Sequence, residues 1–196
     1  MLLKIINKIL ILLLIFLNFK VSSEELGSIN KKILIEYFDK FNEFSSMFIQ
    51  SNGKTLEEGK IYFQNERIRI EYYNPSNLLL VIGKNKAMYF NQDLEEVEYF
   101  NPEKTVAKIF FDIFYDNFFL EDASYKEKNQ SIYLEKNIKL NSEENIDLTI
   151  IFEKNPLIIR KILIKDSLET TSYSIINPQY NLNLKKNFFS MANPLL

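Results

Sequence analysis

The sequence predicts a mainly β domain with helices (α+β), in which an antiparallel meander of about eleven strands is curled into a barrel or half-barrel. Three observations predict it. Short runs alternate apolar and polar residues with a period of two, and turn residues separate them at spacings near ten. A stretch of helical spacing precedes these runs. A second one, Lys104 to Phe119, interrupts them in mid-chain.

The chain opens on a signal-peptide pattern. Lys4 and Lys8 flank the start of an apolar run, Ile9 to Phe19, broken only by Asn18, and Val21-Ser22-Ser23 supplies small residues before Glu24. The run is about half of the roughly 20 apolar residues a spanning helix needs, so cleavage after residue 23 is expected and an uncleaved anchor is the rival. A mature domain over 24–196 follows. Its first element is a helix, Glu24 to Phe41. There Leu26, Ile29, Ile33, Tyr37 and Phe41 make one apolar stripe, widened by Leu34 and Phe38.

From Phe44 the period becomes two. Strands are expected over 44–50, 61–64, 67–72, 78–82, 88–90 and 97–100, and Lys54 to Glu58 reads as a loop ending at Gly59. The turns are Asn52-Gly53, Asn65-Glu66, Asn74 to Asn77, Gly83 to Lys86 and Asn91 to Asp93. The clearest strand is Arg67 to Tyr72, with Ile68, Ile70 and Tyr72 on one face and Arg67, Arg69 and Glu71 on the other. Pro102 marks a change. Val106, Ile109, Phe110, Ile113, Phe114 and Phe118 then recur at helical spacing, in a stretch far more apolar than a surface helix needs. Strands resume over 124–128, 131–136, 147–153, 157–165 and 170–176. Asn177-Pro178 reads as a break before a short strand over 181–184. A meander this long has edges to hide, and curling hides them. Two apolar helices are then available to cover the concave face.

Composition excludes several chemistries. With no Cys and no His, the chain has no disulfide, no Ser–His–Asp or Cys–His nucleophile system and no zinc site of the usual kind. Four glycines leave no Gly-rich phosphate loop. Neither a metal nor a cofactor is expected. Loss of residues 1–23 removes three lysines and no acid, moving the formal charge from −2 to −5 and weighing against a nucleic-acid partner. The 17 Phe and 11 Tyr accompany abundant Ile, Asn and Lys, as AT-rich coding bias would give, so position rather than count must carry any functional reading.

The ordered set Phe44-x-x-x-Phe48-x-Gln50, Gly59-x-Ile61-Tyr62-Phe63, Arg67-Ile68-Arg69-Ile70-Glu71-Tyr72, Pro75, Leu79-Leu80-Val81-Ile82, Gly83-Lys84 and Met88-Tyr89-Phe90-Asn91 resembles the LolA family, the periplasmic carriers of outer-membrane lipoproteins. The later helix, the strands around 147–165 and the terminal Phe188-Phe189 before Pro194 follow in the family's order. The resemblance implies an incomplete antiparallel β-barrel with a helical lid over a hydrophobic cavity, and no enzyme activity. It implies triacylated lipoproteins as cargo, an ATP-driven inner-membrane complex of the LolCDE type as donor and a LolB-type outer-membrane receptor as acceptor. A monomer is expected. LolB shares the fold but is a lipoprotein, which a chain without Cys is not expected to be. One departure stands out. Members often carry Lys-Arg-Pro before the Arg-Φ-Arg-Φ strand, and that Arg holds the lid. Here the place reads Gln64-Asn65-Glu66, one residue shorter and without the Arg, so the latch is unassigned.

On that resemblance, Phe48, Ile61, Phe63, Ile68, Ile70, Tyr72, Leu80, Ile82, Met88 and Phe90 are the expected acyl-chain wall, against the plainer reading of ordinary core. Ile33, Tyr37, Val106, Ile109, Phe110, Ile113 and Phe114 are the expected lid, against permanently packed core helices. Arg67 and Arg69 are either a solvated strand face or a rim contact to a receptor or headgroup. Glu57-Glu58 and Glu95-Glu96 read as solvated loop charges, since nothing brings them together as a glycosidase pair. Two rival functions remain. One is a lipid- or lipoprotein-sensing module of the same fold, which usually carries a second domain that the expected 24–196 domain leaves no room for. The other is a carboxylate-based hydrolase, which would need a polar cleft.

Overall fold

The computed structural model describes residues 23–39, 43–116, 120, 122–140, 145–185 and 187–196, with backbone alone for 23–30 and for Lys104. Residues 1–22 of the expected signal peptide, Phe41 and Phe118 lie outside the described residues, as do the side chains of Leu26 and Ile29.

Helix α1 spans Ser23–Phe38. Six strands follow: β1 (Glu43–Ser51), β2 (Leu56–Gln64), β3 (Arg67–Asn74), β4 (Leu78–Ile82), β5 (Ala87–Asn91) and β6 (Glu96–Phe100). A 3-10 turn, Pro102–Lys104, leads into helix α2, Val106–Tyr115. Five more strands follow it: β7 (Ser124–Lys128), β8 (Ser131–Lys139), β9 (Asn145–Glu153), β10 (Ile158–Lys165) and β11 (Thr170–Tyr180). All eleven form one antiparallel sheet in the order β6-β5-β4-β3-β2-β1-β11-β10-β9-β8-β7. The sheet is not closed: its edge strands β6 and β7 are neighbours in sequence but not in the ladder. The mid-chain helix lies where it does because the chain must travel from one edge to the other. The result is an incomplete barrel with two helices, as the sequence predicts.

Alternation builds the concave core. Ile61 and Phe63 of β2, Ile68 and Ile70 of β3, Ile132 and Leu134 of β8, and Ile146, Leu148, Ile150 and Phe152 of β9 are all buried. Three bulges adjust the pattern. In β10 the extra residue is Arg160, so Ile159 and Ile162 both point inward, and the Ile159 N–H donates to the Tyr37 hydroxyl at 2.9 Å. In β3 it is Tyr73, which is exposed. In β11 the bulge falls at Asn177-Pro178, between the partners of Ser45 and Met47, with Asn177 at φ 52°. The expected break there is therefore a bulge: β11 runs on to Tyr180, and no strand forms over 181–184. The β2–β3 and β7–β8 hairpins turn on Asn65-Glu66 and Asn129-Gln130, all four at positive φ, as two-residue type I′ turns require.

The helices divide the concave face. Helix α1 covers the β9–β10 side, where Tyr37 and Phe38 each meet the Phe152 ring edge-on at 5.8 Å. Its buried face is Leu34, Tyr37 and Phe38, whereas Ile33 is 44% exposed. The expected stripe through Ile33 is thus rotated by one position, because Leu34 and Phe38, four apart, take the core side. Helix α2 covers the β2–β3 side, with Phe114 on Phe63 at 4.1 Å.

The convex face of β2–β5 has a cover of its own. Leu79, Val81, Met88, Phe90 and Phe189 form a separate buried cluster, flanked by Tyr62, Phe188 and Met191. Arg69 donates to the Phe188 carbonyl at 2.7 Å, lies 4.6 Å from that ring and pairs with Glu71 at 2.6 Å. Arg67 donates to the Phe189 carbonyl at 3.1 Å, and the Tyr99 hydroxyl donates to the Met191 carbonyl at 3.0 Å.

Gly59 sits inside β2 opposite Phe48. A Cβ there would lie 2.5 Å from both the Glu71 carbonyl oxygen and the Phe48 ring. The backbone contact cannot relax cheaply, so Gly59→Ala is expected to destabilise the fold by about 1–3 kcal/mol, read by denaturant unfolding.

Candidate functional site

Between the sheet and the first turns of α2 the concave face is left incompletely filled. A cavity of about 140 Å³ is lined by Phe48, Ile61, Ile70, Tyr72, Leu80, Ile82, Val106, Ala107, Phe110, Tyr173 and Ile175. The surroundings are almost wholly apolar. Aromatic contacts brace the walls: Phe48 meets Tyr72 edge-on at 5.2 Å, and Phe110 meets Tyr173 edge-on at 4.9 Å. Burial pushes the Tyr72 and Tyr173 phenols up, so both stay neutral. The Tyr72 hydroxyl donates to the Gln50 side-chain oxygen at 2.8 Å.

Of the expected wall, Phe48, Ile61, Ile70, Tyr72, Leu80 and Ile82 line this cavity. Phe63 and Ile68 lie beyond it, fully buried in the core that the C-terminal half of α2 covers. Met88 and Phe90 are on the other face of the sheet. The register pairs Ile82 with Ala87 and Val81 with Met88, so Leu80 and Ile82 face the cavity while Val81, Met88 and Phe90 face the tail. Of the expected lid, Val106 and Phe110 line the cavity, and Ile109, Ile113 and Phe114 are buried in the core. Ile33 is exposed, and Tyr37 is bonded into the α1–β10 contact, its hydroxyl also 3.2 Å from that of Tyr180. Arg67 and Arg69 hold the tail rather than lining a solvated face. Ala107, Tyr173 and Ile175 also line the cavity and are not part of the expected wall or lid. Tyr173 and Ile175 belong to β11, where Ser172-Tyr173-Ser174-Ile175 alternates polar and apolar and puts the two on one face, but the pattern does not say that this face meets the cavity.

Helix α2 is fastened at one end. At its C-terminus the Tyr115 hydroxyl donates to the Arg67 carbonyl at 2.9 Å, beside the β2–β3 hairpin from which the latching Arg is missing. Phe114 adds its contacts with Phe63 and with Phe38 at 5.8 Å. At the other end Val106 and Ala107 are not fully buried. Outside the helix, a polar hollow is lined by Glu66, Lys84, Glu103, Lys108, Phe111, Asp112, Tyr115 and Asp116. Lys108 and Asp112 pair within it, and burial raises the Asp112 carboxyl although Lys108 pulls it down.

Two variants test these contacts. Tyr115→Phe removes one hydrogen bond worth about 0.5–1 kcal/mol, so α2 amides are expected to exchange about two- to fivefold faster while β9 and β10 amides do not. Arg69→Ala removes a charged donor worth about 2 kcal/mol and is expected to make the bonds around Phe188 susceptible to limited proteolysis before the sheet unfolds.

No curated protein sequence matches the chain. Among solved structures, an uncharacterized conserved protein from Thermus thermophilus shares the fold at a TM-score of 0.53 and 8% identity, covering 82% of this chain and 90% of that one. The MucA/MucB complex of Pseudomonas aeruginosa is similar at a TM-score of 0.49 and 9% identity, over 82% of this chain and 59% of that one. A DUF1329 family protein from Desulfovibrio piger is similar at 0.45 and 10% identity, over 84% and 98%. The family model described as outer membrane lipoprotein carrier protein LolA matches residues 39–192. With its open eleven-stranded sheet and helix-covered apolar cavity, the chain belongs to the LolA family.

Proposed function

We propose that this protein is a periplasmic carrier that shuttles triacylated lipoproteins from the inner to the outer membrane, shielding their acyl chains on its concave face. The supporting observation is the apolar cavity beneath a helix anchored at one end. At about 140 Å³ it is below the roughly 300 Å³ at which ligand pockets begin, so cargo must enlarge it. Magnitudes favour lifting the first turns of α2 over expelling the helix. Lifting Val106–Phe110 exposes both Ile109 and Phe110 and costs about 3–6 kcal/mol, which about four to eight buried methylenes offset at about 0.8 kcal/mol each. Exposing Ile113 and Phe114 as well would about double that cost.

In this reading a LolCDE-type complex supplies the cargo, a LolB-type receptor accepts it, and the carrier works as a monomer without catalysis or cofactor. The signal peptide would deliver it to the periplasm, and among the described residues no helix is long and apolar enough to cross a membrane. Depletion in the native cell tests the proposal. Outer-membrane lipoproteins should accumulate in the inner membrane, and normal release without the protein would refute it.

A further inference from the structure

The inner face does not end at the apolar wall. Strand β2 starts at Leu56, so Glu57 lies in a strand and not in a loop, in line with Gly59, Ile61 and Phe63. The ladder sets Glu57 opposite Gln50 and Gln50 opposite Tyr173, making one polar row across β2, β1 and β11. The next row inward is Gly59, Phe48 and Ile175, two of which line the cavity. Tyr72, whose hydroxyl donates to Gln50, and Tyr173, paired with Gln50 in the ladder, are partly exposed members of the cavity wall and belong to this end. Among the described residues, the Glu57 carboxylate has no hydrogen bond or ion pair, and the Tyr173 hydroxyl has no hydrogen bond. Both tyrosines feel the Glu57 charge, which adds to burial in pushing their phenols up.

We infer that this row is a headgroup subsite at the cavity mouth, which prefers an acyl ligand whose polar end is an N–H donor, cationic or amide, over one ending in an anion. An apolar cavity orients a ligand through a few polar groups at its rim. Here the rim offers a carboxylate and a phenol but no cation in the row, so an N–H end finds an acceptor while an anionic end meets like charge. The inference rests on the carrier reading, and it adds which end of the cargo faces the mouth and what chemistry that end must have.

The test is displacement of the neutral dye N-phenyl-1-naphthylamine from the purified mature protein by dodecanol, dodecylamine and dodecanoate, each below its micelle concentration. Wild-type protein should bind dodecylamine about five- to tenfold more tightly than dodecanoate, the size expected of one rim charge acting oppositely on the two. Glu57→Gln should bring that ratio within about twofold at an unchanged thermal midpoint, and Glu57→Lys should reverse it. Equal binding of amine and acid by the wild type, or an unchanged ratio in Glu57→Gln, would overturn the subsite while dodecanol binding leaves the carrier reading standing. Failure of dodecanol itself to displace the dye would count against the carrier reading and the subsite together.

Discussion

The packing of one ten-residue helix against an open sheet is the contact on which the rest of this structure depends. An eleven-stranded sheet that does not close leaves two edges and a concave apolar face. Edge β7 is protected by charge, with Lys126 paired to Glu135 at 2.6 Å. The concave face cannot be protected that way, since charge there would be buried without partners. It needs an apolar cover, and the chain supplies one from the segment that must cross between the edges. Ile109, Phe110, Ile113 and Phe114 present a continuous buried face for that purpose. Ten residues of helix are too short to fill the whole concavity, and the unfilled part is the cavity.

Much of this is legible in the sequence because the signals are local. Arg67 to Tyr72 alternates strictly, and its two faces are charged and apolar, so both the strand and its inward side can be read. The stretch from Val106 to Phe114 keeps helical spacing without Gly or Pro. Residues Leu78 to Ile82 and Met88 to Phe90 give no such guidance, being apolar on both faces. Period two says which residues share a face but not which face is inside, and here both are covered. Sequence reading misplaces Met88 and Phe90 because the ladder, not the pattern, sets Ala87 opposite Ile82. It misplaces Ile33 for a related reason: α1 carries apolar residues on several of its sides, and packing on Phe152 selects Tyr37 and Phe38, with Leu34 one turn before.

The remaining features depend on contacts far apart in sequence. Nothing near Asn177-Pro178 announces that β11 absorbs the break as a bulge, with the Ser46 hydroxyl of β1 donating to the Ile176 carbonyl at 2.7 Å. Nothing near Arg69 announces that its partner is a carbonyl 119 residues away. From sequence Glu57 reads as a loop charge because Gly59 reads as a terminator. In the structure Gly59 is a mid-strand glycine that makes room for the Phe48 ring, so the strand starts earlier and carries Glu57 onto the inner face.

The two covers of the β2–β5 region differ in how they are held, and the difference is what the proposed carrier function requires. The tail on the convex face is fastened by guanidinium-to-carbonyl bonds from Arg67 and Arg69 and by the Tyr99 hydroxyl. A ligand could take its place only by matching that polar geometry. Helix α2 on the concave face is held by apolar contact and, at its far end, by the Tyr115 hydroxyl. Apolar contact is non-directional, so an acyl chain can replace it methylene by methylene. The missing latch arginine therefore does not leave the helix loose. The phenol fastens its C-terminal end, and on the proposed carrier reading the end over the cavity is left to an interaction that lipid can substitute.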